Sequence, residues 1–294
     1  MLYCHVSHTP PHANLLLQIT HILIPNAMKT NNPLFTVYEW ILGMDYLSLC
    51  KHSRLFLMPL MNSIHCRLDD SLFVILPRSL SLLGKMMLYF SAVQTRGNNY
   101  ENMWALIRNR NFPGLEDVFD DGNIYPYFLV PHPFAHDEVR EGLAYPGTFY
   151  SHTSPFAVLL NAFRTLHVWS TNRNGSRGYN APTCPSEELL AVALRALSLP
   201  EEEVTKILHA VERIYEIIAM LISQLETEGP TWFDTKKPSD DGPKGSTRRG
   251  RGGNNHGGAH HLNPTQLQSC IEKNGLSGLG FTGGKGASNL MHEP

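Results

Sequence analysis

Histidine is frequent in this chain, with 15 residues in 294, so metal binding is the first chemistry to test. His132 and His136 lie four residues apart, the spacing that places two imidazoles on one face of a helix, and Asp137 follows directly. These three residues are the metal-ligand candidates, and a metal-dependent hydrolase would use them to hold its ion. The zinc-protease pattern HExxH requires a glutamate at position 133, where this chain has proline. A turn or surface histidine pair that binds no metal is therefore the preferred interpretation.

Four basic residues near the C-terminus suggest a second chemistry. Lys244, Arg248, Arg249 and Arg251 lie in a segment, 244–261, that has no acidic residue. Arginine separated by glycine is typical of RGG segments, in which a flexible backbone lets guanidinium groups contact phosphates and stack on bases. The pattern predicts weak, salt-dependent RNA binding. A solvated linker is the preferred alternative, because the segment has one complete Arg-Gly-Gly triplet and no aromatic residue.

Charge and cysteine content restrict the class of protein. Lys and Arg number 24 against 26 Asp and Glu, a net charge of -2, so the overall field attracts neither a polyanion nor an anionic membrane. The five cysteines are scattered, odd in number and without a CxxC pair, which indicates a reducing compartment. No basic segment precedes the first apolar run, so we expect no cleaved signal peptide and an intracellular protein.

Two apolar segments in the first ninety residues are candidates for membrane association. Residues 13–28 are interrupted by His21 and Pro25, and residues 71–93 contain Pro77, Arg78 and Lys85. Neither segment supplies the roughly 18 uninterrupted apolar residues of a spanning helix. We expect them to form buried helices, and membrane association through this N-terminal segment is the alternative.

The strongest secondary-structure signal is a helix from Ser198 to Pro230. Ser198 followed three residues later by Glu201 predicts a capping box at its start, and Gly229-Pro230 predicts its end. Seven apolar residues recur at spacings of three and four and form one stripe: Val204, Ile207, Val211, Ile214, Ile218, Leu221 and Leu225. Flanking apolar residues widen this stripe, which favours packing between neighbours in a bundle.

Further helices are predicted upstream of this one. Residues 186–197 repeat the pattern of a serine cap, acids in the first turn and one apolar face. Residues 154–169 offer a serine cap followed by proline at the first helical position, and residues 98–110 have apolar residues at helical spacing. By contrast, prolines at 126, 131, 133 and 146 predict an extended loop over 123–154, with at most one short helix from Ala135 to Leu143.

These signals predict an all-α fold, either a helical bundle or a short irregular α-solenoid, because no run alternates apolar and polar residues for long. After residue 229 the composition changes, since fourteen of the 23 glycines lie between Gly229 and Gly286 and large apolar residues become rare. Such a tail is expected to be disordered. The predicted division is an apolar helical segment over 1–95, a helical core domain over 96–228 and the tail over 229–294.

The function predicted from these features is that of a non-enzymatic interaction or scaffold protein, a subunit of a larger assembly. Broad apolar helix faces suit protein partners, and we expect no small-molecule cofactor because no catalytic or cofactor-binding motif is complete. RNA binding through the tail and membrane association through the N-terminal segment are the two alternatives.

Overall fold

The structure is a computed structural model, and it describes residues 17–23, 33–50, 52–96, 100–116, 118, 124–133, 148–171 and 186–235. In this part of the chain the elements are β1 (Leu17–His21), α1 (Pro33–Ile41), a 3-10 turn (Arg54–Phe56), β2 (Leu57–Met61), α2 (Asn62–Asp69), β3 (Phe73–Pro77), α3 (Leu80–Gln94), α4 (Met103–Arg108), β4 (Tyr125–Pro131), β5 (Thr148–Ser151), α5 (Pro155–Thr171), α6 (Ser186–Arg195) and α7 (Glu201–Thr235). The five strands form two antiparallel sheets, β1-β2 and β3-β4-β5. The fold is mixed α/β, so the prediction of an all-α bundle or solenoid is wrong.

The prediction of a loop over 123–154 is wrong where strands β4 and β5 form. Strand β4 is the middle strand of its sheet, with Val130 opposite Val74 of β3 and Tyr127 opposite Phe149 of β5. All five residues of β3 are buried, and a strand buried on both faces shows no alternation of apolar and polar residues. The short helix predicted from Ala135 to Leu143 lies outside the described residues.

Strand β4 contains two prolines, and the direction of each missing N–H group explains why the sheet accepts them. In an antiparallel ladder the N–H and C=O groups of one residue point to the same side, and the side alternates along the strand. The carbonyl of Pro126 accepts the N–H of Arg78 just beyond β3, and the N–H of His132 donates to the carbonyl of Leu72. The backbone groups of Pro131, one residue before His132, therefore point away from β3, at a position that β5 does not reach. Neither proline removes a hydrogen bond from within the paired strands.

The prolines of β2 and β3 follow the same rule. The N–H of Ile22 donates to the carbonyl of Phe56 at 2.9 Å, so the backbone polar groups of Phe56 point toward β1. Because the side alternates along the strand, those of Pro59, three residues later, point away from β1. Because the N–H of Arg78 points toward β4, the backbone groups of the preceding Pro77 point away from that strand. Strand formation through all four prolines thus depends on the register of pairing.

Helix α5 connects both sheets. It packs across β3, where the indole N–H of Trp169 donates to the carbonyl of Ser71 at 2.6 Å. At the other sheet, the side-chain amide of Asn161 donates to the carbonyl of Ile22 at 2.8 Å. The predicted helix at 154–169 is confirmed, with Pro155 as the first helical residue.

Helix α7 packs against α1, α3 and α6 and closes the other side of the core. The seven residues of its predicted stripe are all buried, which confirms the amphipathic pattern. The indole N–H of Trp40 in α1 donates to the carbonyl of Leu221 at 2.6 Å, so one side-chain bond ties α1 to α7.

The start of α7 differs from the prediction. Ser198 has a φ of 58° and donates its N–H to the carbonyl of Arg195, so it ends α6 and the predicted capping box does not form. The first helical hydrogen bond runs from the N–H of Val204 to the carbonyl of Pro200. Arg195 and Glu201 form an ion pair at 2.7 Å across the connection. The helix predicted over 186–197 is confirmed as α6, and it packs against α7.

The end of α7 also differs, because the helix continues through Gly229-Pro230 to Thr235. An interior proline disfavours a helix by about 3 kcal/mol. Trp232, two residues later, is fully buried against Trp40 and Tyr46. Burial of an indole supplies a stabilising free energy of similar size. Tertiary packing therefore extends the helix past Gly229-Pro230, the pair that predicted its end.

Among the described residues no helix combines the length and the apolar character needed to cross a bilayer. The first apolar segment, 13–28, includes β1, and the second, 71–93, includes β3 and most of α3. The expectation of two buried helices is thus wrong for the strand-forming part of each segment.

Two glycines provide a matched test of the core beside α3. Gly43 has a φ of 59°, and a Cβ there would lie 2.9 Å from the Cβ of Met103 and 3.0 Å from Cγ2 of Val93. We expect Gly43→Ala to lower the free energy of unfolding by about 2 kcal/mol, because both the backbone and the neighbouring atoms are strained. Gly84→Ala on α3 meets no atom within 4 Å and should stabilise by about 0.5–1 kcal/mol.

Urea denaturation followed by circular dichroism measures both changes. Equal stability of the Gly43→Ala variant and the natural protein would contradict the close approach of Gly43 to α4.

Candidate functional site

The residues predicted to bind RNA or metal fall mostly outside the described part of the chain. RNA contact stays a prediction, because all four basic candidates lie outside the described residues: Lys244, Arg248, Arg249 and Arg251. His136 and Asp137 lie there as well.

His132 is described and is buried. Its ring packs edge-on against Trp169 with 4.8 Å between ring centroids. Its backbone N–H donates to the carbonyl of Leu72. Within the described ranges no group of three or more His, Cys, Asp or Glu side chains is arranged to hold a metal ion. The surroundings of His132 are therefore those of a core residue next to β3.

Helix α3 presents an unusual outer face. Lys85 is the only charged residue among its fifteen. Leu80, Gly84 and Leu88 recur every four residues and so lie on one side of the helix. The two leucines are 36% and 49% exposed, and the space above Gly84 is open. This outer face, Leu80–Gly84–Leu88, is an apolar surface with a notch at its centre.

The opposite face of α3 fixes the orientation of this surface. Leu83, Met86 and Phe90 are fully buried, and the helix packs extensively on α7. Tyr89 donates its hydroxyl to the carbonyl of Leu42 at 2.7 Å and packs edge-on against Phe156 of α5. Ser79 caps the helix by accepting the N–H of Leu82. The exposed leucines therefore stand on a helix that is held at three places.

The turn after α4 borders the outer face on one side. A Cβ at Gly114 would lie 3.7 Å from a methyl group of Leu88, which places this turn beside the leucine. The same region carries exposed Arg108, Arg110 and Glu116. Among the described residues of α3 and of the segment around Gly114, three cations, Lys85, Arg108 and Arg110, stand against one exposed carboxylate, Glu116. An apolar centre with a cationic border can accept a ligand that is apolar along one side and acidic along its edges.

Similarity to known proteins does not identify this surface. No family model matches the chain, and no curated protein or solved structure is significantly similar to it. Residues 71–93 were interpreted as one apolar segment, and this interpretation did not predict the outer face. The fourfold spacing of Leu80, Gly84 and Leu88 beside a single charge was the signal that could have shown it.

A second unusual cluster lies inside, where α1, α3 and α7 meet. The guanidinium carbon of Arg96 is 4.4 Å from the ring centroid of Trp40 and 5.7 Å from that of Tyr100. Its two terminal nitrogens are inaccessible to water and have no hydrogen-bond partner among the residues that the structure describes. Burial lowers the pKa of Arg96, opposed by the neighbouring Tyr89. Because no ligand could reach these nitrogens without repacking, we interpret the cation–π stack as an internal brace.

Glu39 is the buried carboxylate of the fold. It is 1% exposed and accepts two backbone N–H groups, from Leu47 at 3.0 Å and from Leu49 at 2.8 Å. Burial raises its pKa to about 7, although these N–H bonds lower it and Asp45 adds a smaller increase. The carboxylate closes the loop that follows α1. With both oxygens bonded to the backbone, it is placed to hold that loop rather than to transfer protons to a ligand.

Proposed function

We propose that this protein is a non-enzymatic interaction or scaffold module that binds partner proteins through the outer face of α3. The observation that carries the proposal is the exposure of Leu80 and Leu88 on either side of Gly84, on a helix with one charged residue. Single exposed leucines are ordinary, but here two lie on one face with an open notch between them.

The proposed occupant is an amphipathic helix with acidic residues beside its apolar face. Gly84 has no side chain, so the backbone of a second helix can approach closely between the two leucines. Among the described residues of α3 and of the segment around Gly114, Lys85, Arg108 and Arg110 outnumber Glu116, and this charge balance favours acidic flanks. Docking of an apolar helix face into such a surface is a common mode of peptide recognition.

The test uses a synthetic amphipathic peptide of about four helical turns, with leucines along one face, glutamates beside them and a fluorescent label. We expect the full-length protein to bind it in an anisotropy titration. Leu88→Glu should weaken binding about 10- to 100-fold, the equivalent of the 1.5–3 kcal/mol for one buried leucine.

Val192→Glu is the matched control, because Val192 is also 49% exposed but lies on α6. This variant should bind the peptide as the natural protein does. A peptide with lysines in place of the glutamates should bind more weakly. The proposal is wrong if the glutamate peptide does not bind, or if Leu88→Glu binds it with unchanged affinity.

A further inference from the structure

Two histidines that are distant in sequence meet at the surface beside the first sheet. His21 is the last residue of β1, and His52 lies in the turn before the 3-10 segment. Nε2 of His21 is 3.2 Å from Nδ1 of His52, with 5.2 Å between ring centroids and an angle of 77° between the rings. The pair is exposed to solvent.

The separation of the two nitrogens suits coordination of one metal ion. Imidazole nitrogens bind zinc at about 2.0–2.1 Å, so donors 3.2 Å apart would subtend about 100–105° at the ion. This angle lies between the octahedral and tetrahedral values. Without metal, one imidazole must donate and the other accept, so the pair shares one proton between the two nitrogens that would bind the ion.

The backbone holds both residues in place. His21 pairs with Leu57 at the end of the β1-β2 ladder, and the next N–H, that of Ile22, donates to Phe56 of the 3-10 segment. Ser53, which directly follows His52, caps that segment through the N–H of Leu55. Each histidine is thus adjacent to a hydrogen-bonded element, which limits the reorganisation needed for binding.

We propose that His21 and His52 form a two-histidine site for a divalent first-row transition ion, with water completing the coordination. Imidazole ligands favour zinc, copper and nickel over magnesium and calcium. On binding, the imidazole that donates in the shared hydrogen bond moves its proton to its other ring nitrogen, so two neutral histidines release no net proton.

The experiment measures the reactivity of each histidine toward diethylpyrocarbonate by mass spectrometry of the full-length protein. The free zinc concentration is set with a nitrilotriacetate buffer and compared with an EDTA sample. A neutral imidazole has one nucleophilic nitrogen, and a bound ion occupies it. At a free zinc concentration about ten times Kd, modification of His21 and His52 should fall about tenfold. His209, an exposed histidine on α7, is the internal control and should not change.

Two variants separate a shared site from independent binding. His52→Gln should remove the protection of His21, and His21→Gln should remove that of His52. Near-ultraviolet circular dichroism checks that each variant is folded, and the comparison in the natural protein stands even if one is not. The proposal is overturned if zinc protects neither residue, or if either stays protected when the other is glutamine.

Discussion

Replacing Trp232 by alanine is expected to lower the free energy of unfolding by about 3–5 kcal/mol, the usual range for a buried tryptophan. Trp232 is fully buried in the last turns of α7. Its ring lies 5.3 Å from that of Trp40 and 5.5 Å from that of Tyr46, both in edge-on contacts. Since small domains are stable by only about 5–15 kcal/mol, this is the largest single-residue effect we predict.

Urea denaturation followed by far-ultraviolet circular dichroism measures the effect without depending on tryptophan fluorescence. Trp232→Phe should lose less stability, because a phenyl ring retains part of the contact with Trp40. Thr227→Ala, at an exposed position of the same helix, is the control and should change stability by less than about 0.5 kcal/mol. A variant Trp232→Ala as stable as this control would show that the last turns of α7 contribute nothing to the core.

Trp232 also shows where the helix signals of the sequence fail. The stripe from Val204 to Leu225 was predicted, because helical periodicity is a local property of the sequence. The end of the helix depends on Trp40 and Tyr46, which lie far away in the chain and make continuation past Pro230 favourable. The start was displaced for a different reason: Ser198 adopts a left-handed conformation that ends α6.

The strands were missed because no run of the sequence alternates apolar and polar residues for long, and because the prolines of residues 123–154 predicted a loop. Pro59, Pro77 and Pro131 each point their missing N–H away from the paired strand, a condition set by register and not by composition. Strand β3 is buried on both faces, so its five residues show no alternation. Local sequence rules therefore predict α5, α6 and α7 but not the sheets onto which the helices pack.

The candidate sites differ in how far the sequence could reveal them. The outer face of α3 has a local pattern, Leu80-x3-Gly84-x3-Leu88, which helical periodicity alone could have identified. His21 and His52 are separated by 31 positions, and only the β1-β2 pairing brings them together. The four-residue spacing of His132 and His136 is a local pattern and suggested a metal site. In the structure, however, His132 is packed against Trp169 in the core.

The second large effect concerns pH and Glu39. Its pKa in the folded protein is about 7, raised from 4.5 chiefly by burial. Between these two values the folded state binds more protons than the unfolded state, so stability falls as pH rises. The contribution of neutral Glu39 is fully present below pH 4.5 and is lost as pH rises through 7. A shift of this size corresponds to about 3 kcal/mol.

Glu39→Gln removes this titration and provides the measurement. A glutamine oxygen can accept the N–H of Leu47 or of Leu49, whereas its amide nitrogen can accept neither, so the variant keeps one of the two backbone bonds at every pH. We expect the free energy of unfolding of the natural protein to fall by about 2–3 kcal/mol more than that of the variant between pH 5 and 8. Other titrating groups, histidines included, cancel in this difference. Parallel stability curves for Glu39→Gln and the natural protein would mean that the Glu39 carboxyl titrates alike in the folded and unfolded states.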